Sequence, residues 1–180
     1  MKIIKTFIND LLVIEPQLFK DDRGFLFESY NKKKLDKIIN FLFVQDNESK
    51  SKRGVIRGMH FQKPPHAQTK LVRCVSGKVL DVALDLRTNS KTYGKSFSVE
   101  LSSKNKKQLL IPKGFAHGFQ VLSNEAIVNY KVDNYYNPDS DLGIIWNDKD
   151  LSIDWKLNIE PILSKKDLKL MSFKDLKSPF

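Results

Sequence analysis

Between Val44 and Cys74 the sequence concentrates groups able to do chemistry: His60, His66, Arg57, Lys70 and the amides Gln45, Asn47, Gln62 and Gln68. They sit in two apolar runs that flank Pro64-Pro65. Polar and ionisable side chains inside segments of core-strand character are costly unless they face a cavity and bind something. Arginine and lysine would there hold an anion, and histidine would move a proton or ligate a metal.

Spacing says which of these groups can meet. By strand parity His60 shares a face with Gly58 and Gln62, while Arg57 points to the other face. Arg57 reaches the cavity of His60 only if the strand bends, and Gly58 is where a bulge costs least. Taken alone, a histidine on a strand is ordinarily a satisfied packing residue. Lys70 shares a face with Val72 and Cys74, so it either snorkels to the rim or lines a cavity. Cys74 reads as small packing. Tyr130 falls on the face of Ala126, Val128 and Val132, where most tyrosines pack with a hydrogen-bonded hydroxyl. Tyr135-Tyr136 precede Asn137-Pro138 in a loop, suited to stack on a base or cover a barrel mouth. Pro112-Lys113-Gly114-Phe115-Ala116-His117 has a P-x-G-x-x-H spacing similar to the second motif of the cupin superfamily of small jelly-roll barrels. The first cupin motif offers H-x-H as metal ligands, whereas Gly58-Met59-His60-Phe61-Gln62 has no second histidine. A metal site built from the 3 histidines stays formally open.

The elements that must position these groups read mainly as β. Leu11 to Ile14 is a first strand stopped by Glu15-Pro16, Asp21 to Gly24 a turn, and Phe25 to Tyr30 a second strand. Asn31 caps a helix in which Leu35, Ile38, Ile39 and Leu42 recur at helical spacing. Strands then follow at Val55–Gln62, Thr69–Val75, Val79–Leu86, Phe97–Leu101, Leu109–Ile111, Gly118–Leu122 and Ala126–Val132. In Val79–Leu86 the residues Leu80, Val82, Leu84 and Leu86 share one face, and Asp81 and Asp85 the other. The segment from Trp146 to Trp155 is looped, and Ser164 caps a short last helix. Short strands at near-regular spacing without β-helix-β alternation predict an antiparallel sandwich or barrel. No repeat or linker divides the chain, so residues 1–180 are expected to form one domain.

Composition narrows the function classes. The chain has 180 residues and is 41% hydrophobic, with no apolar run approaching the ~20 residues of a membrane span. The N-terminal MKIIKTFIND lacks signal-peptide character. A single cysteine allows no internal disulfide and points to a reducing cytoplasm. The net charge of +10 comes mostly from scattered lysines. It reads first as a solvated surface, then as attraction for a small anion, and last as nucleic-acid binding, for which no motif is present.

Several segments together are more specific than any one. Asp22-Arg23-Gly24-Phe25, Val44-Gln45-Asp46-Asn47 with Ser49 and Ser51, and Arg57 to Gln62 come first. Gln68 to Arg73, Pro112 to Phe119, Tyr130 with Tyr136, and Ser164-Lys165-Lys166-Asp167 complete the series. In this order they resemble the dTDP-4-dehydrorhamnose 3,5-epimerase family, cupin-fold enzymes of nucleotide-sugar metabolism. The resemblance implies a cupin-type antiparallel jelly-roll barrel with a few short helices, forming a homodimer and using neither metal nor organic cofactor. It implies epimerisation at C3 and C5 of dTDP-4-dehydro-6-deoxy-D-glucose, toward L-rhamnose for cell-surface polysaccharide. It makes His60 the base oriented by Asp167, Lys70 the cation at the C4 oxygen, and Tyr130 the acid on the opposite face. Arg57 and His117 become diphosphate or sugar contacts. Arg23, Phe25, Glu28, Gln45, Asn47, Tyr136 and Lys166 become substrate contacts, Arg23 and Glu28 across the dimer. Asp141 stands where the family usually has a glutamate, one methylene longer. The rivals are a relative epimerising only C3 or C5, a metal-dependent cupin, and a non-catalytic sugar-binding module. Position 130 argues for two-site chemistry, and the joint presence of His60, Lys70, Tyr130 and Asp167 argues against a pure binder.

Overall fold

In the computed structural model, residues 1–39 and 42–180 are described. The strands are β1 (Lys2–Lys5), β2 (Leu12–Glu15), β3 (Phe19–Asp21), β4 (Gly24–Leu26), β5 (Gln45–Lys52), β6 (Ile56–Gln62) and β7 (Lys70–Ser76). They continue with β8 (Lys78–Asp85), β9 (Ser96–Ser102), β10 (Gln108–Ile111), β11 (Phe115–Val121), β12 (Glu125–Val132) and β13 (Asp141–Gly143). Six strands form one sheet in the order β1-β2-β10-β7-β12-β5, and five form a second in the order β13-β6-β11-β8-β9. Every pairing between named strands is antiparallel, and the two sheets face each other as a jelly roll.

Three apolar layers hold this arrangement. Between the sheets Val13, Val72, Leu109, Val128, Val79, Leu101 and Phe119 form the barrel core. Outside the five-stranded sheet Ile56, Met59, Leu80, Val82 and Leu84 are covered by Ile144, Leu151, Trp155 and Leu176 of the C-terminal segment. Outside the six-stranded sheet Leu12, Ile14, Leu71 and Leu110 are covered by Leu35. The alternation in β8 therefore has its apolar face turned outward under the C-terminal segment. Asp81 and Asp85 lie on the other face, and both are fully buried. The C-terminal segment is fastened by parallel bridges at Val55–Ile162 and Ile144–Met171, and by Phe173 N–H donating to Asp148 at 2.7 Å.

Some elements depart from the expectations. The helix after Asn31 is a single turn, α1 (Lys32–Leu35), in which Asn31 accepts from Lys34 N–H at 3.1 Å. Three consecutive lysines and only one buried side chain, Leu35, leave little to propagate it. Ile38 and Leu42 are exposed, and residues 40 and 41 of the expected helix lie outside the described residues. The strand expected over Phe25–Tyr30 shrinks to β4, which pairs only with β3 in an exposed hairpin. After Ser164 there is a 3-10 turn (Asp167–Lys169) in place of a longer helix. β5 has no apolar residue to announce it, yet pairs with β12 over its full length.

The bend expected at Gly58 is present. His117 stands opposite His60, but Phe119, two residues on, stands opposite Arg57, three residues back. Gly118 thus faces both Gly58 and Met59, a bulge that turns Arg57 and His60 to one side. Gly58 has φ +120°, and a Cβ there would come within 2.5 Å of Gly118 Cα. No helix of the described residues is long and apolar enough to cross a membrane.

Candidate active site

A cavity of about 640 Å³ opens between the two sheets, well inside the size range of small-ligand pockets. Its walls come from different sheets. His60, Arg57 and His117 project from β6 and β11 of the five-stranded sheet, and Lys70, Tyr130, Gln45 and Asn47 from β7, β12 and β5 of the other. The bulge explains the first wall, because without it the strand parity would turn Arg57 away. On the second wall, inward positions that would otherwise carry apolar residues are polar.

His60 is bonded through Nε2 to Asp167 Oδ1 at 2.6 Å, across 107 positions of sequence. Asp167 is only 3% exposed. Burial alone would raise its pKa, but hydrogen bonds and charge from His60, together with Ser164 and the Gly58 backbone N–H, hold it below the usual carboxylate range. Ser164 also fixes the turn, accepting from Asp167 N–H at 3.0 Å. The carboxylate orients the ring and supports an imidazolium, and Nδ1 remains to exchange a proton.

Lys70 lines the cavity instead of snorkelling out. It is 9% exposed, and burial, opposed by the charges of Asp141 and Asp81, pushes its pKa down to about 8. Its Nζ donates to the His60 backbone carbonyl at 3.4 Å, and both side chains line the cavity. Burial also raises the pKa of Tyr130, the charge of Arg57 opposing and that of Asp141 adding to the shift. A phenol so held stays protonated at neutral pH and can deliver a proton from the wall opposite His60.

Anion-binding capacity surrounds this centre. Arg57 donates from Nε to Ser51 at 3.0 Å, which leaves the rest of its fork for a ligand. His117 is a second histidine on a carboxylate, with Nε2 at 3.1 and 3.0 Å from the two oxygens of Asp81. Gln45 donates to Asn47 at 2.9 Å. At the rim Asp141 accepts from Tyr136 Oη at 2.8 Å and pairs with Lys166. Burial works against the charge of Lys166, but this pairing outweighs it and raises the pKa. Asp141 thus ties two rim groups together. Among the described residues no three His, Cys, Asp or Glu side chains converge as a metal ion would need.

Three residues are not brought to this cavity within one chain. Arg23 is paired with Asp21 at 2.6 Å on the exposed β3–β4 hairpin. Phe25 is 53% exposed with Lys106 Nζ 4.4 Å over its ring, and Glu28 is bonded to Asn31 and Lys34. Conversely, residue type and spacing assign no site role to Asp81 behind His117, to Ser51 behind Arg57 or to the cavity-lining Ser49. Asp81 carried a signal, a carboxylate in the middle of a strongly apolar strand. Ser49 and Ser51 were members of the motif series, with no contact to give them a role.

An antiparallel jelly roll of two facing sheets with a polar cavity between them defines a cupin-type protein, here with a histidine, lysine and tyrosine centre equipped for proton transfer. The family model for dTDP-4-dehydrorhamnose 3,5-epimerase matches residues 5–175. A dTDP-4-dehydrorhamnose 3,5-epimerase of Escherichia coli K12 is 52% identical over 178 residues, covering 98% of this chain and 96% of the relative. The crystal structure of the dTDP-4-dehydrorhamnose 3,5-epimerase from Elizabethkingia anophelis superposes with a TM-score of 0.94 at 52% identity, covering 99% of this chain and 98% of that one. The dTDP-6-deoxy-D-glucose-3,5-epimerase of Legionella pneumophila, in complex with dTDP-4-keto-L-rhamnose, superposes with a TM-score of 0.94 at 45% identity, covering 97% and 94% of the two chains. The chain belongs to the dTDP-4-dehydrorhamnose 3,5-epimerase family.

Proposed function

We propose that this protein inverts C3 and C5 of dTDP-4-dehydro-6-deoxy-D-glucose, giving dTDP-4-dehydro-L-rhamnose. One observation carries the mechanism. A histidine–carboxylate pair and a tyrosine project from opposite sheets into one cavity, with a buried lysine adjoining the histidine. The C4 ketone acidifies the protons on C3 and C5. Nδ1 of His60 removes such a proton, Asp167 stabilises the imidazolium, and the enolate oxygen gathers negative charge beside the Lys70 ammonium. Tyr130 then protonates the carbon from the other wall, so the configuration inverts. Each proton moves between carbon and a protein side chain, and these steps call on no metal or organic cofactor.

Arg57 and His117 hold the diphosphate or sugar, and Gln45, Asn47, Tyr136, Asp141 and Lys166 the nucleotide end. Arg23, Phe25 and Glu28 complete the nucleotide pocket of a second copy in a homodimer. The exposed β3–β4 hairpin supports this, because it displays an arginine and a phenylalanine to solvent, away from the cavity of their own chain. The lone buried Cys74, its thiol pushed up to about 11 by burial, supports a cytoplasmic location.

The test is proton NMR with dTDP-4-keto-6-deoxy-D-glucose in deuterated water, with a chelator present and a reductase trapping the product. Deuterium at both C3 and C5 with rhamno product is the expected outcome. Exchange at one carbon would assign a single-site epimerase, and loss of exchange with chelator alone a metal enzyme.

A further inference from the structure

His66 has no place in the chemistry above, and it does not line the cavity. We infer that it is a positioning residue, latching the rim segment 133–141 so that Tyr136 and Asp141 are ready for the nucleotide. The inference rests on the reading of those two residues as nucleotide contacts.

Before β13 the rim segment pairs with no named strand; Gln68 and Thr69 hold its start, Gln45 accepts from Tyr136 N–H at 3.4 Å, and the chain around Pro64-Pro65 holds the rest. Gln62 accepts from Asn137 N–H at 2.7 Å and donates to the carbonyls of His66 at 2.9 Å and Tyr135 at 3.4 Å. Asn134 donates to the Pro65 carbonyl at 3.1 Å, and Lys63 N–H to the Ser140 carbonyl at 2.9 Å. Among these contacts the His66 ring alone reaches two side chains of the rim segment at once. Its Nδ1 lies 2.8 Å from Oγ of the buried Ser140, and its Nε2 lies 3.4 Å from Nδ2 of Asn137.

These partners also assign the tautomer. The Asn137 side-chain oxygen accepts from Asp139 N–H at 2.9 Å, which turns its amino group toward His66. Nε2 is therefore the acceptor, and Nδ1 carries the hydrogen that goes to Ser140. Ser140 adjoins Asp141, and Asn137 adjoins Tyr136, so one imidazole braces both ends of the span that bears the two rim groups.

Steady-state kinetics on three variants test this. His66→Ala is expected to raise KM by roughly five- to tenfold, the worth of one or two hydrogen bonds, with kcat within about twofold of the parent. His66→Asn, whose amide nitrogen stands where Nδ1–H stands, is expected to return KM to within about twofold of the parent. Tyr136→Ala is expected to raise KM as well. An unchanged KM in His66→Ala beside a raised one in Tyr136→Ala would overturn the latch and leave the rim reading intact. An unchanged KM in Tyr136→Ala would overturn the rim reading, and the latch with it. A fall in kcat in His66→Ala, or failure of asparagine to restore KM, would show that His66 does not act through a donated Nδ1–H bond.

Discussion

The residues proposed to transfer protons sit in different electrostatic settings, and each setting makes a separate prediction. His60→Ala should abolish deuterium exchange, with a loss of at least ~10²- to 10⁴-fold in kcat, while calorimetry finds dTDP binding nearly unchanged. Tyr130→Phe should keep some exchange of solvent deuterium yet fail to complete inversion, because the proposed abstraction and redelivery use opposite walls. Lys70 links activity to pH in a defined sense. With its pKa lowered to about 8, the ammonium is lost as pH rises through that value, so kcat/KM should fall on the alkaline side near pH 8. Stability moves the other way. Between about 8 and the unfolded value of 10.5 the unfolded chain binds the extra proton, so unfolding free energy rises with pH across that window. Lys70→Met should therefore raise the melting temperature at pH 7 while abolishing turnover. At this scale the sequence was informative about identity and silent about surroundings. His60, Lys70 and Tyr130 were legible as members of one motif series. Alternation put Asp81 opposite Leu80 without saying which face looks into the barrel, and the carboxylate behind His117 went unnoticed.

Among the elements, the Gly58–Gly118 contact decides which side chains share the cavity. A Cβ on Gly118 would lie 2.7 Å from the Arg57 carbonyl and 2.8 Å from Met59 Sδ. Gly118→Ala should therefore push β6 from β11, cost about 1–3 kcal/mol in denaturant unfolding, and lower kcat/KM by more than tenfold. A crystal structure of the variant should find Arg57 and His60 displaced relative to one another. The need for this bulge could be argued from parity alone, since Arg57 and His60 are three residues apart. β5 could not be anticipated in that way. Its inward residues Gln45, Asn47 and Ser49 line the cavity and Ser51 accepts from Arg57, so the apolar alternation that normally marks a strand is missing. The helix expected after Asn31 departs in the opposite direction, because helical spacing of Leu35, Ile38 and Ile39 exists where Leu35 is buried, Ile39 only partly so and Ile38 exposed.

For the whole molecule, the β3–β4 hairpin poses the question of assembly. If Arg23 of one copy serves the cavity of another, two separately defective proteins should repair each other. Mixing Arg23→Ala with His60→Ala subunits, after dissociation and reassociation, should yield one intact site per mixed dimer. About a quarter of parental activity is then expected, because half of all dimers are mixed and each has one working site of two. Activity no higher than the sum of the parents would mean that Arg23 acts within its own chain or not at all. Residue spacing offered no route to this, since nothing in one chain's apolar pattern says which exposed side chains meet a copy of itself.

The polarity of β5 reaches beyond the cavity it lines. As the last strand of the six-stranded sheet it leaves a row of backbone donors and acceptors unpaired by any other strand of the described residues. Such a row is a template for uncontrolled stacking of partly folded chains. Its outward residues Asp46, Glu48, Lys50 and Lys52 make it a poor one, because an incoming strand would have to bury charges of both signs with every added rung. The strand whose inward face lines a polar cavity thereby carries on its outward face the charges that disfavour amyloid-like growth.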